Sequence, residues 1–418
     1  MIKRVSGRAT WALVIVAAIM LRLAALWIAW DRSQTGDSHS YLVLADQLLA
    51  GHGLTLLDPF MGVEVRAIYP PVMPILLAGI GALVPLSLPT IALINLAIDA
   101  LAALLIRRLG TDGNAPVAGS LAAALYLLLP ANIALTPIVH KEGLLNLFVA
   151  AMAILLIRLA RGGGARDAIA FGLVAGLTAL TQPALASLPM LFALFLLPMF
   201  DSRRAWVRAM LVAAGVAVLV MVPWWVRNFL LFDRFVPLTT SGGASFLIGA
   251  SPASGGLYAP PPDHVRGLGE LDASVEMARE ALAIIAADPL AFAGRAAVKL
   301  WRASTLDNWA ASKLMWMQPV AYRGIAVAWG ALATAVHLAL LALAAVTLAR
   351  NRRRTPLNLL MLAALAQIML FGPWFEFGQR HRYFLAPMLV LLAAQAVLAF
   401  PSLVSRYKRR RWFATHTS

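Results

Sequence analysis

Three short stretches concentrate the groups that could do acid–base or phosphate chemistry. They are Gly36-Asp37-Ser38-His39-Ser40-Tyr41, His140-Lys141-Glu142, and Glu376-Phe377-Gly378-Gln379-Arg380-His381-Arg382-Tyr383. A carboxylate can take the proton of a hydroxyl nucleophile. Arginines grip phosphate oxygens with paired donors. Each stretch also has an ordinary structural use. Asp37 opens a helical pattern, where a carboxylate serves equally as an N-cap or as a base. His39 reads as a surface histidine rather than a base. Glu142 starts an apolar helix, where the dipole favours its charge, and Lys141 can snorkel to lipid phosphates. The uniformly apolar turn that follows tips that pair toward function. Arg380 and Arg382 suit a specific phosphate or anionic lipid head groups, and the specific site is the reading adopted.

The elements that must hold these groups are membrane helices. Of 418 residues, 61% are hydrophobic and 13% charged. A soluble protein of that composition would expose adhesive surface. Apolar runs of about 18 residues or more recur along the chain. They are too long and too uniform for barrel strands, so the chain is an all-α integral membrane protein. Crossings are expected at about 11–30, 90–107, 116–137, 142–160, 167–182, 184–200, 206–225, 323–349, 356–374 and 383–401. Trp11 to Trp30 is too long for a signal-peptide core and reads as a retained first crossing. With no cysteine, thiol catalysis, disulfides and thiolate metal sites are excluded.

Charge sets the expected topology. The N-terminus, 107–114, 158–167, 201–208, 350–354 and the tail from Arg406 hold 20 lysines and arginines against three acids. The remaining non-membrane segments are nearly neutral. The net charge of +16 therefore reads as a positive-inside signal, with both termini cytoplasmic, and not as a nucleic-acid surface. The segment 71–86 is apolar but short and proline-rich. A crossing there would invert every later loop, so it is expected to be a re-entrant or interfacial helix. Arg22 and Asp99 fall at mid-membrane depth and are expected to pair as a helix–helix clamp. No further acid or histidine lies nearby to continue an ion relay.

The whole chain, 1–418, reads as one polytopic domain with two long outer loops, 31–89 and 226–322. The first carries an amphipathic helix, 41–50. The second carries helices near 272–287 and 289–304, separated by Asp288-Pro289. Gly51-His52-Gly53 and Ser241-Gly242-Gly243 lack the strand–helix context of a nucleotide fingerprint. His337 reads as a hydrogen-bonded core histidine. No His/Asp/Glu set has clear metal-ligand spacing.

A series of motifs runs along the chain in order. Leu21-Arg22-Leu23 is followed by Gly36-Asp37 with Tyr41, then Gly51-His52-Gly53, then Tyr69-Pro70-Pro71 with Pro74. Lys141-Glu142, Pro223-Trp224, Arg227-Asn228, the block from Pro237 to Gly249, and Arg382-Tyr383 with Pro387 complete it. On these motifs the chain resembles the GT-C superfamily of membrane glycosyltransferases. It is most similar to the bacterial branch related to protein O-mannosyltransferases and lipid A aminoarabinose transferase. The resemblance implies a GT-C-type bundle of about ten crossings plus the re-entrant helix, in the bacterial inner membrane with its site facing the periplasm. It implies a polyprenyl-phosphate sugar donor, an extracytoplasmic lipid, glycan or protein acceptor, and transfer with inversion. By position, Asp37 matches the general base and Glu142 a second acid. Arg66, Lys141, Arg380 and Arg382 are the candidates for the donor phosphate. His39, Tyr41, Tyr69, Arg227, Asn228, His381 and Tyr383 complete the expected substrate site. The 71–86 helix is placed to line a groove for the isoprenoid.

The chain departs from the family pattern in three ways. Tyr69 stands where many relatives have lysine before the proline pair, so Arg66 is the expected substitute. Asp37 is followed by Ser38 instead of a second acid. One acid makes a poor metal site, so no cofactor is expected. No large C-terminal soluble domain is expected, which leaves acceptor recognition to the outer loops. The alternative reading is a transporter or flippase of lipid-linked sugar, and a third is a non-catalytic factor that binds such lipids. Transporters gather ionisable groups at the midplane; here the polar residues gather outside.

Overall fold

The structure is a computed structural model that describes residues 7–30, 34–316, 323–350 and 355–399. Lys3, Arg4, Arg352 to Arg354 and the basic tail lie outside the described residues. In chain order the helices are α1 Arg8–Ile28, α2 Asp37–Leu49, α3 Val72–Gly81, α4 Leu88–Asp112, α5 Pro116–Leu127, α6 Pro130–Ala134, α7 Glu142–Ala160 and α8 Ala165–Thr181. There follow α9 Leu188–Leu196, α10 Arg203–Phe232, α11 Gly242–Ala250, α12 Glu270–Ala287, α13 Pro289–Thr305, α14 Trp309–Trp316, α15 Arg323–Arg350 and α16 Pro356–Phe371. The last, α17, spans Gln379–Ala399 and begins with a 3-10 segment, Gln379–Leu385.

Among the described residues seven segments are long and apolar enough to cross a membrane: α1, α4, the α5–α6 stretch, α7, α10, α15 and α17. The three other expected crossings fall on shorter helices. These are α8 with 17 residues, the Pro183–Met199 segment containing α9, and α16 with 16 residues. Pro130 interrupts the expected 116–137 helix, separating α5 from α6. α3 has the anticipated form. Its ten residues span about 15 Å, half the thickness of a bilayer core.

Local sequence explains the helix starts. Ser87, Ser202, Asp288 and Thr355 each accept a hydrogen bond from a first-turn amide, and proline follows Asp288 and Thr355 directly. Packing then sorts the helices. In α7 and α17, 72% of the apolar window is buried, against 17% in α1 and α10, so the first two form the centre. Small residues allow close approach where water cannot drive association. A Cβ on Gly172 of α8 would lie 2.2 Å from the Ala213 carbonyl oxygen of α10.

Arg22 and Asp99 do pair, at 2.6 Å and almost fully buried. Arg22 also donates to the Leu127 carbonyl, and Tyr126 donates to the other Asp99 oxygen. The pair is buried and joins α1, α4 and α5, as a clamp requires.

The two long loops fold against each other at one end of the bundle. A two-stranded hairpin, Leu56–Leu57 with Glu64–Val65, contributes to a small core with α11, α12 and α13. Glu270 ties it together. Its buried carboxylate accepts from the backbone amides of Arg66 and Ala67 and from the Thr240 hydroxyl. α12 and α13 bend by 109° at Asp288, at the expected break. The hairpin, α11 and α14 are elements the hydrophobic pattern does not announce.

Candidate active site

Asp37 is the first residue of α2, and its carboxylate does not cap the helix. Gly36 occupies the N-cap at φ 56°, and no side chain caps the amides. Asp37 Oδ2 instead accepts from Arg380 Nη1 at 2.6 Å. Two residues 343 apart in sequence are thus brought together by the first loop and the start of α17. Arg380 also reaches Glu376 at 3.4 Å and lies 5.7 Å over the Trp309 ring. Gln379 fixes this arrangement by accepting from the Trp309 amide and donating to the Asn308 side chain. Lys313, one turn along α14, donates to the Thr35 carbonyl at 2.8 Å. A Cβ on Gly36 would sit 3.3 Å from its ammonium, and the positive φ there is itself a glycine conformation.

Burial acts to raise the Asp37 carboxyl, but Arg380, Lys141 and Lys313 outweigh it and hold it at about 2. Asp37 is therefore a carboxylate at any physiological pH. Its side chain remains 39% exposed, so a substrate can reach it. Tyr41 and Tyr69 pack edge to face beneath it, 5.5 Å between centroids. Burial first, and then the Asp37 charge, push both phenols upward, so they remain neutral.

Glu142, the first residue of α7, is buried with His140 Nδ1 3.5 Å away. Lys141 faces inward and not toward lipid. It has no hydrogen-bond partner among the described residues. Burial, joined by Arg380, lowers its ammonium despite Glu142, Asp37 and Glu376. Lys141, Glu142, Glu376, Arg380 and His381 line one open cleft. Its other walls are largely aromatic and aliphatic.

The structure thus brings together Asp37, Tyr41, Tyr69, Lys141, Glu142, Arg380 and His381. It directs the other predicted residues elsewhere. Arg382 is turned away from the cleft, donating to the carbonyls of Ala303 and Leu306 and pairing with Asp307 at 3.2 Å. In a 3-10 helix, neighbours two apart point in different directions and those three apart align. Accordingly Tyr383, not Arg382, shares the Trp309 contact with Arg380. Arg66 pairs with Glu64 at 3.1 Å on the surface. Arg227 donates to the carbonyls of Leu54 and Arg66 and stacks on Trp224, while Asn228 donates to Val236. Those two residues fasten the loops to α10. His39 is exposed on the outer face of α2.

Glu376, Lys313, Trp309 and Gln182 belong to the site and were not anticipated. Glu376 lies within a quoted motif, four residues before Arg380. The Trp-x3-Lys-x2-Trp spacing of Trp309, Lys313 and Trp316 is the signal that marks α14. Among the described residues no three His, Asp or Glu side chains converge. Each acid of the cluster faces a cation or histidine: Asp37 and Glu376 face Arg380, and Glu142 faces His140.

No protein-family model matches the chain, and no curated protein matches it by sequence. Solved structures do match. The oligosaccharyltransferase of Archaeoglobus fulgidus, crystallised tethered to an acceptor peptide containing the NVT sequon, aligns at a TM-score of 0.51 with 15% identity. The alignment covers 92% of this chain and 50% of that one, so the chain spans about half the length of that enzyme. ArnT from Cupriavidus metallidurans in the apo state aligns at a TM-score of 0.38 with 16% identity, over 94% of this chain and 78% of that one. The chain therefore shares the fold of about half of that Archaeoglobus fulgidus structure.

Proposed function

We propose that this protein is an inverting glycosyltransferase. It moves a sugar from a polyprenyl-phosphate donor to an acceptor hydroxyl on a lipid, glycan or protein, from the periplasmic side of the bacterial inner membrane. One observation carries the reading: an ionised, accessible Asp37 stands 2.6 Å from Arg380, which lines an open cleft together with the hydrogen-bond-free Lys141.

In this reading the acceptor O–H gives its proton to Asp37 while its oxygen attacks the anomeric carbon. The bond from that carbon to the phosphate oxygen breaks, and its electron pair leaves with the polyprenyl phosphate. Lys141 and Arg380 stabilise the charge that develops there. A carboxyl held at about 2 is a weak base. A donor phosphate that draws Arg380 toward itself relieves that grip, so donor binding switches the base on. Arg66 and Arg382, committed elsewhere, have no part in it. For the isoprenoid, an apolar groove lined by Leu21, Ile28, Leu314, Ile325 and Trp329 takes the place of the one expected along the 71–86 helix. Leu314 adjoins Lys313, which joins the groove to the charged cluster. The flippase reading has no comparable support, because the mid-membrane charge pair is sealed rather than open to a path.

The test compares wild type with Asp37→Asn by native mass spectrometry and by transfer assay. Wild type is expected to co-purify with a polyprenyl phosphate, and the variant to retain the sugar-bearing donor and lose transfer. Chelator should leave wild-type transfer unchanged. Full turnover by the variant would remove Asp37 as base, and ordinary phospholipid alone in both samples would remove the donor assignment.

A further inference from the structure

Beside its charged groups the cleft is walled by uncharged side chains of α7, of the break joining α8 to α9, and of the end of α16. Gln182 stands at the break. It precedes Pro183, which disfavours helical backbone before it, and its own backbone is extended at φ −144°, ψ 99°. α8 therefore stops, and the Gln182 side chain lines the cleft.

The Gln182 carboxamide oxygen is buried and has no hydrogen-bond partner. Among the described residues the amide nitrogen has none either. Its neighbour Gln367 is the contrast: its oxygen accepts from the Ser187 hydroxyl and its nitrogen donates to the Ala184 carbonyl. His381 lines the same space. Its Nδ1 accepts the Gly378 amide hydrogen, so a neutral ring keeps its proton on Nε2 as a donor. Phe371 and Phe375, stacked 5.8 Å apart, form an apolar wall.

An unpaired buried carboxamide oxygen costs about 1–3 kcal/mol. An isoprenoid lying here would leave that cost in place. A sugar ring removes it, giving a hydroxyl to Gln182 and laying its C–H faces on the phenylalanines. With Lys141 and Arg380 engaged by phosphate, Glu142 and Glu376 in the same lining disfavour an anionic sugar. We infer that this part of the cleft is the sugar subsite of the donor, that it takes a non-anionic, hydroxyl-bearing sugar, and that Gln182 is its specificity-determining residue. The inference rests on the glycosyltransferase reading above.

The test measures binding of four probes to the full-length protein in detergent: farnesol, farnesyl phosphate, farnesyl-phosphate hexoses (glucose, mannose, galactose) and farnesyl-phosphate glucuronate. Farnesyl phosphate binding no tighter than farnesol would overturn the donor reading, and this inference with it. If farnesyl phosphate binds, at least one neutral hexose should tighten binding about tenfold further, the scale of one good buried hydrogen bond. Glucuronate should not. Gln182→Leu should abolish that gain and leave farnesyl phosphate affinity unchanged, which also reports that the variant is folded. A hexose gain that survives in Gln182→Leu, the absence of any hexose gain in wild type, or an equal loss of farnesyl phosphate affinity would each overturn the subsite.

Discussion

A guanidinium 2.6 Å from a carboxylate stabilises the anion and, by the same interaction, weakens it as a base. At Asp37 burial works the other way and is outweighed. The stabilising contribution of the charged Asp37 is therefore present above the ordinary carboxylate range, near 4, and lost only as pH falls through about 2. Arg380→Ala reverses the balance, leaving burial opposed only by Lys141 and Lys313. The acidic limb of kcat/KM should then rise into the range where activity is measurable, and donor KM should rise as well. A variant with the wild-type pH profile would show that Asp37 does not titrate in the rate. Asp37 was legible as a candidate because an acid just outside a crossing is conspicuous. Its partner was not, since the sequence offers Arg380 and Arg382 as equals. The rotation of a 3-10 turn separates them, and that turn depends on Gln379 meeting Trp309 and Asn308.

Among elements, α13 does more than cover the bundle end. Lys299, 2% exposed, donates to the carbonyls of Gly249, Pro373 and Phe375. It thereby ties α11 and α13 to the segment that carries Glu376 toward Arg380. Lys299→Met should leave three carbonyls short of a donor, each at about 1–3 kcal/mol if unreplaced by water. The expected result is a lower melting temperature in detergent together with reduced transfer, and unchanged values in both would show that the segment holds itself. The Arg22–Asp99 clamp is tested by exchange. Either single charge reversal should cost about 3–5 kcal/mol, the scale for stranding a buried charge, and the double exchange should restore folded yield. Failure of the double exchange would deny the pair its role. The helix break at Asp288-Pro289 and the short α3 could be read from the chain because caps, prolines and length are local properties. The hairpin, α11 and α14 could not, because each is held by distant partners: Glu270, the 373–377 segment and α17.

For the whole molecule, the asymmetry of basic loops predicts the orientation. A C-terminal alkaline phosphatase fusion should be inactive and a fusion within 251–262 active in the bacterial inner membrane, and the reverse pattern would invert the topology. The same scale governs how the chain gets there. Arg22 and Asp99 are 77 residues apart, so α1 is synthesised well before its counter-charge exists. An arginine at the middle of a lone helix adds about 2.5–3.5 kcal/mol to insertion. Until α4 delivers Asp99, and α5 the Leu127 carbonyl and Tyr126, α1 is a provisional segment that the translocon must retain or tolerate. Stable insertion of α1 is thus expected to depend on α4 and α5, coupling three crossings that would otherwise be independent. Loss of Asp99 is then a defect of biogenesis before it is a defect of the finished protein.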